Sequence, residues 1–162
     1  MTCEGLFSYK SLDGASKLLI ENVEIDSDED VLDLCCGYGA IGIWLNKLHG
    51  CDVSFSDDSS LATYYTQKIF DEQGLNASVT ACDCLDEIEE KFDVIVSNPP
   101  THQGSAITDE IFHESFNHLR EGGKLYLVYN QNMNFEGKLS DIFRETSTVV
   151  EKENFKLLKA SK

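Results

Sequence analysis

Val31-Leu32-Asp33-Leu34-Cys35-Cys36-Gly37-Tyr38-Gly39 is the stretch that decides the fold. It is apolar on both sides of a single acid, is closed by two glycines, and is followed by a helical pattern over residues 40–48 that includes Trp44 and Leu45. A strand covered on both faces has no solvent side to demand alternation, so a continuous apolar run of this length predicts a central parallel strand, here over residues 31–36. The glycines let the backbone come close to a ligand and leave the first N–H groups of the next helix facing a negative charge.

Working outward, residues 52–56 read as a second strand that ends at Asp57. That is the spacing at which a nucleotide-binding fold places an acid on ribose hydroxyls; Asp57 would serve equally as a helix cap. Asp58 and Ser59 then cap a helix through Gln73, with Leu61, Tyr65 and Ile69 as its apolar stripe and Gly74 as its stop. Residues 77–81 form a third strand, followed by Asp83, which can accept from an adenine amino group, and residues 86–90 form a short acidic helix or loop. Residues 92–97 form a fourth strand. In an open parallel sheet, ligands bind beyond the carboxyl ends of the strands, so these polar strand ends converge on one edge.

The fourth strand runs into Asn98-Pro99-Pro100-Thr101. Proline lacks a backbone N–H and drives the preceding residue out of the helical region, so the strand must stop in a stiff turn. Such a turn exposes carbonyls beside the Asn98 amide. A planar NH₂ would find two acceptors there, the Asn98 oxygen and the Pro99 carbonyl, which would hold its lone pair toward an electrophile. Alone, the tetrapeptide is equally an ordinary strand-to-loop turn.

On the N-terminal side, Gly5 to Ser8 reads as a turn and Leu12, Ala15, Leu18, Leu19 and Val23 as one face of a helix, followed by an acidic loop over residues 26–30. Beyond the prolines, residues 101–107 form a loop with Gly104. Thr108 is expected to cap a helix through Arg120, with Asp109 and Glu110 at its positive end and Arg120 at its negative end, stopped by Gly122 and Gly123. A fifth strand over 124–130, a helix over 135–144, and a hairpin over 146–150 and 154–158 complete the chain. The expected fold is α/β, a Rossmann-like seven-stranded mostly parallel sheet with an antiparallel C-terminal hairpin and helices on both faces. It is read as one domain over 1–162: an N-terminal covering segment and helix (1–23), a core (31–130), and a helix plus hairpin (131–162).

Composition narrows the function. No apolar run approaches the roughly 18 to 20 residues of a membrane span, and residues 1–10 lack the regions of a signal peptide, which predicts a cytosolic protein with no membrane partner. The cysteines form no pair of Cys-x-x-Cys knuckles. Cys82 and Cys84, two apart at a strand end, would be half of a metal or redox site or simply buried thiols. The 29 acidic residues face 13 scattered basic ones, a net charge of −16. Proteins that bind nucleic acid through its backbone carry basic patches. Either the substrate is not a long nucleic acid, or a partner supplies the cations, or the charge is an adaptation to salt.

Four motifs stand in order: Gly5-Leu6-Phe7-Ser8 with Leu12-Asp13-Gly14-Ala15-Ser16; Val31 to Gly39; Asp57; and Ser97-Asn98-Pro99-Pro100-Thr101-His102-Gln103-Gly104. Together they resemble class I S-adenosylmethionine-dependent methyltransferases, and more narrowly the small methyltransferase domain of ribosomal RNA guanine-N2 methyltransferases. The resemblance implies S-adenosyl-L-methionine as cofactor, S-adenosyl-L-homocysteine as product, and no metal. Asp33, Gly37 and Gly39 would hold its methionine end, Asp57 with Asp58 its ribose, and Asp83 its adenine. Phe7 and Ser8 would close over the site. Asn98, Pro99 and Pro100 would form the catalytic turn. Two positions depart from the family: Cys35 replaces the first glycine of the cofactor loop, and Thr101 replaces the aromatic that stacks on the target base, leaving Thr101 and His102 as substrate contacts. The implied reaction is methyl transfer to an exocyclic amine, guanine N2 in RNA. Adenine N6 or a protein glutamine amide are the alternatives, and a cofactor-binding scaffold without turnover belongs to another class. Ribosomal relatives often carry a second, degenerate copy of the domain, so a monomer or homodimer reaching RNA through a basic partner protein is expected.

Overall fold

A computed structural model describes residues 12–73, 77–100 and 105–162. The expectations for Gly5, Phe7, Ser8, Gly74, Thr101, His102 and Gly104 lie outside the described residues. In chain order the elements are α1 (Gly14–Asn22), β1 (Asp30–Leu34), α2 (Ala40–His49), β2 (Asp52–Asp57), α3 (Ser60–Gln73), β3 (Ser78–Ala81), β4 (Phe92–Ser97), α4 (Ser105–His118), β5 (Leu119–Asn130), α5 (Glu136–Ile142), β6 (Glu145–Lys152) and β7 (Phe155–Ser161).

The strands form one seven-stranded sheet in the order β3-β2-β1-β4-β5-β7-β6. β3 through β5 are mutually parallel, and β7 and β6 add antiparallel to the edge. Strand alternation sends side chains to two cores. Val31, Val94, Val96, Tyr126 and Val128 meet α1, α2 and α3 through Leu18, Leu19, Ile41, Leu45, Ile69 and Phe70. Leu32, Leu34, Ile95, Leu125 and Leu127 meet α4 and α5 through Ile111, Phe112 and Leu139. Because both faces are covered, β1 and β4 read as unbroken apolar runs, and the predicted α/β architecture is observed.

α2 lies unusually close to β2. A Cβ on Gly42 would stand 2.4 Å from the Phe55 ring and 2.8 Å from the Val53 side chain, so only glycine permits this approach.

Several boundaries move. α1 begins at Gly14, where the Asp13 carboxylate accepts the Ser16 N–H at 2.9 Å, a cap absent from the predicted helix. β1 ends at Leu34, so Cys35 and Cys36 belong to the loop; Cys35 has a φ of +59°, outside strand geometry. Of the short acidic helix or loop read over 86–90, the loop is observed: a turn over 84–87 leads into irregular chain, with Leu85 and Ile88 buried. α4 begins at Ser105, so Thr108 is a buried residue of its first turn and not its cap. α4 stops at His118 and β5 takes up Leu119, Arg120 and both glycines. Arg120 does not complement the end of α4; it bridges Asp30, at 2.6 Å, and Asp93. Lys162 supplies that cation instead, donating to the carbonyls of Phe116 at 2.7 Å and Leu119 at 2.8 Å. The basic residues are not evenly scattered either: six of the thirteen fall in the last 25 residues. Most of these are matched to acids, as Lys138 to Asp109, Arg144 to Glu121, Lys156 to Glu136 and Glu151, and Lys159 to Glu24.

Gly42→Ala is expected to lower the unfolding free energy by about 1 to 3 kcal/mol through overpacking against Phe55, measured by urea denaturation.

Candidate functional site

The strand order reverses between β1 and β4, which makes this the topological switch point of the sheet. Leu34 lies opposite Ser97, whose hydroxyl donates to the Leu34 carbonyl at 2.9 Å. The two loops that follow, Cys35–Gly39 and the Asn98 turn, therefore leave the sheet side by side.

The first loop is held from below and from the side. Asp33 has no exposed surface; its Oδ2 accepts the Gly42 N–H at 2.8 Å, and its Oδ1 has no partner. Burial pushes its pKa up to about 7, opposed by the Gly42 N–H and reinforced by the charge of Asp57. Asp57 Oδ2 accepts the Gly37 N–H at 2.8 Å and its Oδ1 accepts the Ser59 N–H at 3.0 Å. Asp57 thus clamps the loop tip while it starts α3, and the side chain that caps that helix is Ser59, which accepts from the Ala62 N–H at 3.3 Å. Gly39 begins α2 with a φ of +73°.

Three clefts open at this edge. One, of about 420 Å³, is lined by Cys35, Asp57, Asp58, Asp83, Cys84, Asn98, Pro100, Ile107, Glu110 and Ile111. A second, of about 360 Å³, runs between the start of α1 and the loop and includes Asp13, Ser16, Cys35, Gly37, Tyr38 and Asn98. A third, of about 330 Å³, lies on the side of β5 and β7, lined by Asn98, Pro99, Tyr129, Asn130, Asn132, Met133 and Phe155. Asn98 borders all three. Its Nδ2 donates to Ser16 Oγ at 3.4 Å, and that hydroxyl spends its own proton on Asp13 Oδ2 at 2.7 Å. Ser16 can only accept from Asn98, so the amide nitrogen is turned toward α1 and the Asn98 oxygen away from it.

The first cleft carries four carboxylates and no basic side chain among its described lining residues, with Ile107 and Ile111 as an apolar wall. Such a lining takes a flat ligand that donates hydrogen bonds and carries positive charge. The sequence assigns no cofactor or substrate role to Cys84, Ile107, Glu110, Ile111 or Ser16: Cys84 reads as half of a metal or redox site or as a buried thiol, Ile107 as the end of a loop and Ile111 as core, and Asp13 and Ser16 stand only within a quoted motif.

The thiols here are not nucleophiles. Burial first, with Asp57 adding, pushes Cys35 up to about 12, and burial does the same for Cys84. Cys35 and Cys84 both have positive φ, +59° and +48°. β3 ends before Cys82, so strand alternation does not set the Cys82–Cys84 pair on one face; Cys82 Sγ contacts Ser56 Oγ at 3.2 Å and the Cys84 carbonyl at 3.4 Å. Among the described residues no group of three or more His, Cys, Asp or Glu side chains is placed to hold a metal ion.

Asp33 sets a pH dependence. The folded state keeps its proton up to about pH 7, whereas the unfolded chain releases it near the ordinary aspartate value of 3.8. The folded state therefore binds the extra proton between these values, and this group's contribution to stability falls as pH rises through that window and is flat above it. Asp33→Asn keeps the acceptor for Gly42 and removes the titration. Denaturant midpoints at pH 4.5 and 7.5 should show the wild type losing roughly 2 to 4 kcal/mol relative to the variant.

Residues 1–159 match the family described as methyltransferase small domain. The chain is 32% identical over 159 residues to the ribosomal RNA small subunit methyltransferase C of Psychromonas ingrahamii, covering 95% of this chain and 46% of that protein. It is 33% identical over 172 residues to the ribosomal RNA large subunit methyltransferase G of Shewanella woodyi, covering 97% and 41%. The solved structure of a T. thermophilus 16S rRNA N2 G1207 methyltransferase in complex with AdoMet and guanosine superposes with a TM-score of 0.84 at 30% identity, covering 96% of this chain and 45% of that one. The chain spans a little under half the length of the curated relatives it matches. With a matched region that takes in the cofactor-type loop, the acid-lined cleft and the Asn-Pro-Pro turn, this chain belongs to the methyltransferase small domain family.

Proposed function

We propose that this domain transfers a methyl group from S-adenosyl-L-methionine to the N2 amine of guanine in ribosomal RNA. The observation that carries the reading is Asn98, common to three clefts and with its amide orientation fixed by Ser16 and Asp13. Bound cofactor would supply an electrophilic sulfonium methyl and leave as S-adenosyl-L-homocysteine. The site's residues suit such a ligand. Asp57 and Asp58 would hold its ribose hydroxyls, Asp83 its adenine amine, and Ile107 and Ile111 would flank the purine, in a cleft whose carboxylates favour a cation. Gly37 and Gly39 belong to the loop at the methionine end, where a Cβ on Gly37 would meet nothing within 4 Å. Asp33 acts from beneath by holding α2 to that loop. Phe7, Ser8, Thr101 and His102 keep the roles the resemblance implies.

Asn98 Oδ1 and the Pro99 carbonyl accept the two amine hydrogens, drawing the nitrogen lone pair out of conjugation and aiming it across the Asn98 wall. Pro100 stiffens the turn. This is catalysis by position and by acceptors set before the reaction begins. Docking to the RNA backbone is assigned to a basic partner protein in the cytosol, because most cations of the C-terminal segment are already matched to acids. The protein itself would act as a monomer or homodimer.

Calorimetric titration of S-adenosyl-L-methionine and labelled methyl transfer to ribosomal RNA test the reading. Asn98→Ala should bind cofactor and lose about 10² to 10³ in kcat; Ser16→Ala should lower kcat severalfold with cofactor Kd unchanged. Absent cofactor binding, or full transfer by Asn98→Ala, would sink the idea. Nucleoside mass spectrometry of RNA from cells lacking the gene separates guanine N2 from adenine N6, and labelled protein would point to glutamine. Cys35→Gly relieves a left-handed non-glycine residue costing about 1 to 2 kcal/mol and widens the cofactor wall, so it should raise the melting temperature and tighten cofactor binding.

A further inference from the structure

Of the apolar stripe expected on α3, Leu61, Tyr65 and Ile69, only Ile69 is buried. The helix packs inward through Ala62, Thr66, Ile69 and Phe70. Tyr64 and Tyr65 follow Leu61 by three and four positions and share the outward face with it. Tyr38, in the loop between β1 and α2, joins them: its ring centroid lies 6.1 Å from that of Tyr65, which lies 5.5 Å from that of Tyr64, both edge to face. Four of the six large apolar side chains exposed among the described residues therefore stand together, with Leu61 60% and Tyr64 61% exposed. Scattered, such residues need no explanation; gathered on one face, they mark a surface that another molecule covers. The surface is firm. Thr66 Oγ1 donates to the Gly37 carbonyl at 3.3 Å and Asp57 accepts the Gly37 N–H at 2.8 Å, so helix and loop present the rings as one body. A surface fixed before binding loses little entropy when it is covered.

The surroundings of the patch are acidic. Residues 52–72 hold five acids, Asp52, Asp57, Asp58, Asp71 and Glu72, against one base, Lys68, which lies 3.9 Å from Glu72. RNA phosphates are repelled by such surroundings, and a second copy of this chain would bring the same charge to meet them. Arginine satisfies both parts at once, its guanidinium plane lying on a tyrosine ring while its N–H groups reach a carboxylate. We propose that Tyr38, Leu61, Tyr64 and Tyr65 form the docking surface for an arginine-bearing, cationic segment of a partner protein. The proposal rests on the proposed function, which calls for a basic partner, and it names the surface that receives that partner.

A fluorescein-labelled peptide of alternating Arg and Leu, titrated with the full chain at physiological salt and followed by fluorescence anisotropy, tests the surface. A chain of net charge −16 attracts any polycation, so the variants that decide are those that keep the charge. Leu61→Ser combined with Tyr64→Ser should weaken peptide binding at least about tenfold, the scale of losing two packed side chains at an interface. Leu48→Ser, also at an exposed apolar position but at the other end of α2, should leave it unchanged. Calorimetry should show S-adenosyl-L-methionine binding to the double variant as it does to the wild type. Absence of peptide binding by the wild type, or equal affinity in the wild type and the double variant, overturns the proposal; the second result marks diffuse attraction. Oligouridylate RNA binding that the double variant loses, with the peptide unbound, overturns it in favour of an RNA face. A concentration-dependent dimer in sedimentation velocity that the double variant abolishes overturns it in favour of a second copy. Peptide and cofactor affinities are separate readouts. A chain that binds S-adenosyl-L-methionine but not the peptide loses the docking surface and keeps the proposed methyl transfer, and one that binds the peptide at this surface but no cofactor does the reverse.

Discussion

The buried bond from the Gly42 N–H to the Asp33 carboxylate is the constraint on which the site depends. It joins the first turn of α2 to β1 at a depth where no water competes, and it does so with one carboxylate oxygen unpartnered. Leaving a buried polar atom without a partner costs on the order of 1 to 3 kcal/mol, so this arrangement is retained against a stability gradient. What it secures is the entry angle of α2. The close approach of Gly42 to Phe55 sets the same angle from the other side, and the loop between β1 and α2 is left with little freedom. Asp57 then fixes the loop tip through the single Gly37 N–H, while its other oxygen takes the Ser59 N–H ahead of α3. Local strain at Cys35 is tolerated because the elements on either side of it are held independently.

The parts of this fold that the sequence revealed are those where one physical demand dominates. β1 and β4 are covered on both faces, so nothing interrupts their apolar runs. Asp57, Asp83 and Asn98, which line clefts at the carboxyl edge of the sheet, are legible as the polar residues at or just after the ends of β2, β3 and β4. The boundary between α4 and β5 was lost to competing signals. Gly122 and Gly123 looked like a helix stop, yet Arg120 is drawn into the strand by Asp30, 90 positions away, and Asp93, 27 away, partners that no local pattern discloses. The end of β1 was misjudged because Cys35 is apolar, and only its positive φ excludes it from the strand.

Distance along the chain explains the remaining gaps. Asn98 and Ser16 are 82 residues apart, and neither shows that the one orients the other. Residues 129 to 133 meet Phe155 only because β7 returns antiparallel to β5. The carboxylates of the first cleft were legible one at a time, but Glu110 joins them from a helix whose acidic start looked like complement to the helix dipole and nothing more.

A single amide that forms part of three clefts has a thermodynamic consequence. If occupancy of one cleft orders Asn98, the ligands of the others meet a side chain whose entropy is already lost, and their affinities rise together. Such coupling is reciprocal: whatever factor the cofactor adds to the affinity for the base, the base returns to the cofactor. A shared wall of this kind would make the ternary complex tighter than its binary parts indicate, by whatever freedom Asn98 keeps beyond its bond to Ser16, without any moving element between the sites.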